Sequence, residues 1–142
     1  MKKLLLVMLC VIPFAFAGHH EKGENKIAFT IDLEIAEGKT EDFAKLVRKM
    51  VVSVKASEPG THSYHYFSSP DGSMVTLLEV YPSNAAALAH MAAFAESPFR
   101  EEFLSLITVK SFQIVGNANA ELKEVMAPYT TDFRKPLAGF SR

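Results

Sequence analysis

Residues 61–81 read THSYHYFSSPDGSMVTLLEVY. Two runs rich in aromatic and β-branched residues, THSYHYFSS and MVTLLEVY, are separated by Pro70-Asp71-Gly72. Proline presets φ for the first turn position, and Asp-Gly supplies the reversal. A connection this short joins antiparallel strands, so 61–81 is predicted to be a β-hairpin. What stands on either side of that hairpin decides the fold.

Upstream, the apolar residues change period. Phe43, Leu46, Val47, Met50, Val51 and Val54 recur at spacings of three and four, which predicts a helix from about Thr40 to Ala56. Thr40 is its expected N-cap, Glu41 and Asp42 suit the positive end of the helix dipole, and Glu58-Pro59-Gly60 is the turn that ends it. Further upstream, Ile27, Phe29, Ile31, Leu33 and Ile35 alternate with Ala28, Thr30, Asp32 and Glu34, the period of a strand with one buried face. Downstream, Ser83 is positioned to cap a helix over AAALAHMAAFA, residues 85–95, whose one polar side chain is His90. Ser97-Pro98 interrupts it before a further helical turn, FREEFLSL. ITVKSFQIVG, 107–116, is a last strand, and AELKEVM, 120–126, a short helix with Leu122, Val125 and Met126 as its apolar stripe.

The order is β-α-β-β-α-β, which predicts an α+β, ferredoxin-like split βαβ protomer with helices over one face of a four-stranded antiparallel sheet. Its span is 27–127, preceded by a flexible segment at 18–26 and followed by an irregular tail at 128–142. In the third strand Met74, Thr76, Leu78 and Val80 oppose Val75, Leu77, Glu79 and Tyr81, so both faces carry apolar bulk, as in a sheet covered on both sides. A second copy of the chain supplies the missing cover, and the expected assembly is a homodimer with facing sheets.

The N-terminus has a different character. Lys2 and Lys3, then LLLVMLCVIPFAF, then Ala15-Phe16-Ala17 have the basic, apolar and small-residue regions of a secretory signal peptide over 1–17. The apolar run is short for a membrane span, so no stable membrane insertion is expected after cleavage, and the mature protein is expected to be periplasmic or secreted. Cleavage removes the chain's one cysteine, Cys10. The formal net charge of −1 already lacks the basic footprint of a nucleic-acid partner. Cleavage would expose a Gly18-His19-His20 start, whose amine, two amides and third-position imidazole match a square-planar Cu(II) or Ni(II) set; a start without metal fits the same residues.

EPGTHSYHYF at 58–67, LLEVY at 77–81, the alanine helix with His90, and ESPF at 96–99 together resemble the antibiotic biosynthesis monooxygenase family, some members of which are called quinol monooxygenases. The resemblance covers roughly 26–116. It implies a dimeric α/β barrel with a pocket between sheet and helices in each protomer. It also implies oxidation of polycyclic phenols or quinols by dioxygen with no metal or flavin, the substrate supplying the electrons. Two positions depart from the family's habit: Tyr81 stands where a tryptophan is frequent, and Phe99 follows Ser-Pro where a histidine is frequent. A related haem-degrading branch relies on a tryptophan and an asparagine that this chain lacks at the corresponding places, which speaks against haem degradation.

Two residues carry the candidate chemistry. His90 lies among Ala86, Ala87, Ala93 and Phe94 on its helix, so the imidazole reaches further than its neighbours. Desolvation is expected to lower its pKa and leave a neutral ring able to take a phenolic proton. It fits equally a strut bonded to a backbone carbonyl or to Glu79, or a metal ligand. Glu79 is the one charge in MVTLLEVY, and a buried carboxylate needs a partner, so it is read as the group that orients His90 or meets a substrate hydroxyl, or as a structural bond at a sheet edge or dimer contact. Tyr64, Tyr81, Phe94 and Phe99 are expected as substrate-binding walls. His62 and His65 fall on opposite strand faces and cannot share one ion. No CxxC, glycine-rich phosphate loop, HExxH or GxSxG occurs. Two functions remain: an exported, cofactor-free monooxygenase for a planar phenol or quinol, or a periplasmic binding module of the same fold for an aromatic or haem-like small molecule.

Overall fold

The hairpin forms as its turn chemistry requires. In the computed structural model, which describes residues 25–140, β2 (Ser63–Ser68) and β3 (Met74–Tyr81) pair antiparallel, Tyr64 opposite Glu79. Asp71 accepts from Ser69 Oγ and from the amide and hydroxyl of Ser73, bonds that lower its carboxyl pKa to about 2, and Gly72 takes φ +75°. The leader, Cys10 and Gly18-His19-His20 lie outside the described residues.

Around the hairpin stand β1 (Ile27–Ile35), α1 (Thr40–Ser57), α2 (Asn84–Ala95), α3 (Arg100–Ser105), β4 (Ile107–Gly116), α4 (Ala120–Met126) and β5 (Asp132–Arg134). The sheet order is β2-β3-β1-β4-β5, with β1 central and antiparallel to both β3 and β4. The first four strands reproduce the ferredoxin-like arrangement. The fifth corrects the expected four-stranded antiparallel sheet and the expected irregular tail: Asp132–Arg134 lie parallel to Gln113–Val115, making the sheet mixed. Three residues are too few to show a period. Their placement follows instead from the edge of β4, whose backbone groups would otherwise be unpaired, and from Thr130, whose hydroxyl donates to the Phe112 carbonyl.

The odd-numbered residues of β1, together with Val75, Leu77 and Tyr81 of β3, form the sheet side of one core. Phe43, Leu46, Val47 and Met50 of α1 close over it with Phe103 of α3 and Leu122 and Met126 of α4; Val125, grouped with the latter by spacing, is exposed. Edge-to-face rings knit this core, among them Phe29–Tyr81 at 5.1 Å and Phe94–Phe103 at 5.9 Å, each pair adding about 0.5–1.5 kcal/mol beyond its buried area.

Two helix starts differ from one another. Ser83 caps α2 as expected, accepting from the Ala86 amide. Thr40, expected to cap α1, is instead its first residue; Lys39 holds the cap position without a side-chain bond, and the Thr40 hydroxyl reaches toward the Gly72 carbonyl at 3.5 Å. The alanine helix also has a wet face. Ala87 and His90 are buried, while Ala85, Ala89, Ala92, Ala93 and Ala95 are exposed, because a methyl group costs little in either environment. Gly60 lies so close to this helix that a Cβ there would meet the Ala86 methyl at 3.3 Å. That contact docks the turn after α1 against α2.

Candidate active site

β3 alternates, so Glu79 and Tyr81 face the helices with Val75 and Leu77. α2 crosses above them and presents His90. Both charged candidates are buried, His90 5% and Glu79 3% exposed. His90 Nε2 is 3.5 Å from Glu79 Oε1, and the Tyr81 hydroxyl donates to Glu79 Oε2 at 2.7 Å.

The shorter partner of His90 is one the sequence did not mark. Glu58 Oε2 lies 2.6 Å from His90 Nδ1 and also accepts from Thr61 Oγ1 at 2.9 Å. Glu58 is the residue that ends α1, and it was legible only as part of a turn. The imidazole is thus held from both ring nitrogens, by Glu58 at Nδ1 and, at the longer distance, by Glu79 at Nε2. A bond of that length to Nδ1 fixes the ring and turns Nε2 toward the sheet and Glu79. Tyr64 and Tyr81 flank the ring, with centroids 5.7 and 5.5 Å away.

This geometry overturns the expected neutral imidazole. Burial does pull the His90 pKa down, but the hydrogen bonds and charges of Glu79 and Glu58 outweigh it and raise the value to about 9. At neutral pH the ring is a cation held between two carboxylates. Burial, then the charge of Glu79, push the Tyr64 and Tyr81 hydroxyls well above the tyrosine range, so both remain donors. For Tyr66 burial dominates as well, and its hydroxyl sits 2.8 Å from that of Tyr64.

A cavity of about 300 Å³ lies between this face of the sheet and the helices, with Glu79 and His90 both on its wall. Its lining is otherwise mostly apolar, including Ile31, Leu33, Leu77, Phe94 and Phe112. Tyr64 and Phe94 are on its wall. Tyr81 is not: it is fully buried behind Glu79, where its hydroxyl holds the carboxylate. Phe99 lines a second, smaller cavity of about 210 Å³ on the far side of His90, next to Glu58, Ser57 and Ser97. The sequence reading also missed Arg100 from α3 and Pro128 and Tyr129 from the tail, all of which line the larger cavity. Arg100 stood only within FREEFLSL, read as a further helical turn, and the tail carried no periodic pattern.

Among the described residues no group of three or more His, Cys, Asp or Glu is arranged to hold a metal ion. His62 and His65 are both exposed, and the ring of His65 stacks on Phe67 at 6.0 Å. No described helix is long and apolar enough to cross a membrane.

Solved structures share this architecture. MupZ from Pseudomonas fluorescens is 22% identical over 84% of this chain and 91% of its own, with a TM-score of 0.73. SnoaB from Streptomyces nogalater, a cofactor-independent oxygenase, is 14% identical over 63% of this chain and 90% of its own, with a TM-score of 0.54. Rv0793 from Mycobacterium tuberculosis is 21% identical over 66% and 96%, with a TM-score of 0.52. At these identities the likeness is one of fold. No curated protein matches the sequence. The sequence model described as antibiotic biosynthesis monooxygenase matches residues 27–105, more than half of the chain and every element from β1 through α3. The chain belongs to the antibiotic biosynthesis monooxygenase family.

Proposed function

We propose that the chain is an exported monooxygenase that oxidises a planar phenol or quinol with dioxygen and needs no cofactor. One observation carries the reading: the Glu79 carboxylate and the His90 imidazole, 3.5 Å apart, share the wall of a mostly apolar cavity. In such a place Glu79 accepts the hydrogen bond of a substrate hydroxyl and takes its proton. The imidazolium of His90 stabilises the phenolate that forms, because opposite charges attract strongly where water is excluded. The role of base thus passes from His90 to Glu79, and Tyr81 and Glu58 hold these two groups in place. The phenolate is the better electron donor to dioxygen. Overall, a phenol and dioxygen give a quinone and water. One oxygen atom joins the ring carbon, and the other leaves as water with the hydroxyl hydrogen and one ring hydrogen.

Oxygen consumption with a panel of naphthalene and anthracene quinols tests this. Uptake above the protein-free rate, lowered about 10²–10⁴-fold by Glu79→Gln, is the expected result for a positioned proton acceptor. Uptake that survives Glu79→Gln at the wild-type rate refutes the mechanism.

A second reading, a periplasmic binding module without turnover, is favoured by one feature: both ring nitrogens of His90 already face carboxylates. Tight binding of the same quinols without oxygen uptake supports it. Export rests on the leader at 1–17. Pairing into a homodimer is supported by the sheet face away from the helices, where Phe67 and Val115 are exposed. Sedimentation of the mature chain at twice the protomer mass is the expected result.

A further inference from the structure

Beside Glu79 and His90 the cavity wall carries a third charge, which the proposed reaction does not use. Arg100, the first residue of α3, is half-buried and lines the cavity with Leu104, Val109 and Tyr129. Its guanidinium forms no ion pair or side-chain hydrogen bond among the described residues. Glu101 and Glu102 follow it on the helix, but both are exposed and neither pairs with it. Glu79, on the same cavity, comes from β3 and bonds to Tyr81 and His90 instead. The cavity therefore offers an acceptor group on the sheet side, an apolar body of Ile31, Leu77, Phe94 and Phe112, and on its α3 side Arg100, whose five-donor guanidinium is unpaired among the described residues.

We infer that Arg100 is an anion-binding subsite of this cavity, and that the ligand is an aromatic hydroxy acid whose hydroxyl meets Glu79 while its carboxylate meets Arg100. A guanidinium matches a carboxylate with two parallel bonds, which are stronger and more directional than neutral ones. An apolar cavity fits the ring system but cannot orient it; a charge on a second element fixes which end of the ligand faces Glu79. A volume of about 300 Å³ lies at the small end of ligand sites and suits a two-ring body rather than an extended one.

This inference rests on the reading of the cavity as the substrate site, and the test separates the two. Binding of naphthol, naphthoate and a hydroxynaphthoate with its groups at opposite ends of the rings is measured by calorimetry on the mature full-length protein. The hydroxynaphthoate should bind roughly 10–100-fold tighter than naphthol, the gain of a charge-assisted bond. Arg100→Gln should remove that preference, weakening hydroxynaphthoate roughly 10–100-fold more than it weakens naphthol. Arg100→Lys, which keeps the charge but loses the fork, should retain part of it. Thermal melting checks that both variants fold, as a half-exposed side chain at a helix start allows. Equal affinity for naphthol and the hydroxynaphthoate, or a preference that survives Arg100→Gln, overturns the anion subsite and leaves the cavity reading standing. Failure of all three ligands to bind overturns both.

Discussion

Two carboxylates sit on adjacent strands of one sheet and have opposite fates. Asp32, on β1, points to the face without helices and accepts from the hydroxyls of Thr76 on β3 and Ser111 on β4, each at 2.7 Å. Those two bonds lower its pKa, so it stays ionised with neutral partners and with water in reach. Glu79, on β3, points to the helix-covered face, is buried, and meets a cation and a tyrosine on a cavity wall. Glu79 is the single charge of its strand, whereas Asp32 shares β1 and its face with the exposed Glu34. The pleat alone, one residue up or down, sends one to a solvated polar ladder and the other to a dry site. A charge in a strand becomes a candidate for chemistry when it faces the covered side and finds an ionic partner there.

The largest expected effect breaks this pair apart. Glu79→Gln should cut oxygen uptake about 10²–10⁴-fold, whereas Asp32→Asn should leave it within a few-fold. Equal sensitivity of the two would mean the cavity has no special part in the reaction. The next effect concerns the ionic partner. His90 has a folded-state pKa of about 9, above its ordinary 6.5, so the stability it contributes is complete below pH 6.5 and is lost as pH rises through 9. The loss is on the order of 3 kcal/mol, read as a fall in denaturation midpoint across that window. Glu58→Gln should flatten the fall by lowering the folded pKa; a wild-type slope in that variant would show that Glu58 does not hold the charge. A smaller effect tests how Glu58 is placed. Gly60→Ala pushes its new methyl against Ala86 and should destabilise the protein by about 1 kcal/mol while moving the His90 titration downward, followed by imidazole NMR. The smallest is the control on the open face: Asp32→Asn keeps an acceptor oxygen for one of the two hydroxyls and should lower stability by less than about 1 kcal/mol.

The fold was legible in the chain because the alternating residues of β1 and the Pro-Asp-Gly turn are local signals, and their order leaves one arrangement. β5 was not, because Phe133 alone among three residues shows no alternation and its pairing depends on an edge that exists only after folding. The site was half legible. His90 stood out against alanines and Glu79 against a strand of apolar residues, and the structure brings them to one cavity. The charge on His90 was misread because desolvation follows from local composition, whereas the two carboxylates that outweigh it together, Glu79 on β3 and Glu58 from 32 residues away, meet the ring only in the fold. Nothing in Glu58-Pro59-Gly60 announces that partner; it appears when the turn docks against Ala86. Tyr81 was placed on the right face but in the wrong layer, behind Glu79 rather than beside the ligand.

The central claim is oxygen insertion at a site built from this chain's own side chains. Its most direct test is turnover of a naphthalene quinol under dioxygen labelled with heavy oxygen, using protein stripped of metals by a chelator, with the product read by mass spectrometry. The account predicts one labelled oxygen atom in each product molecule, with the yield collapsing in Glu79→Gln. A product free of label, or labelled product formed equally by Glu79→Gln, would contradict it.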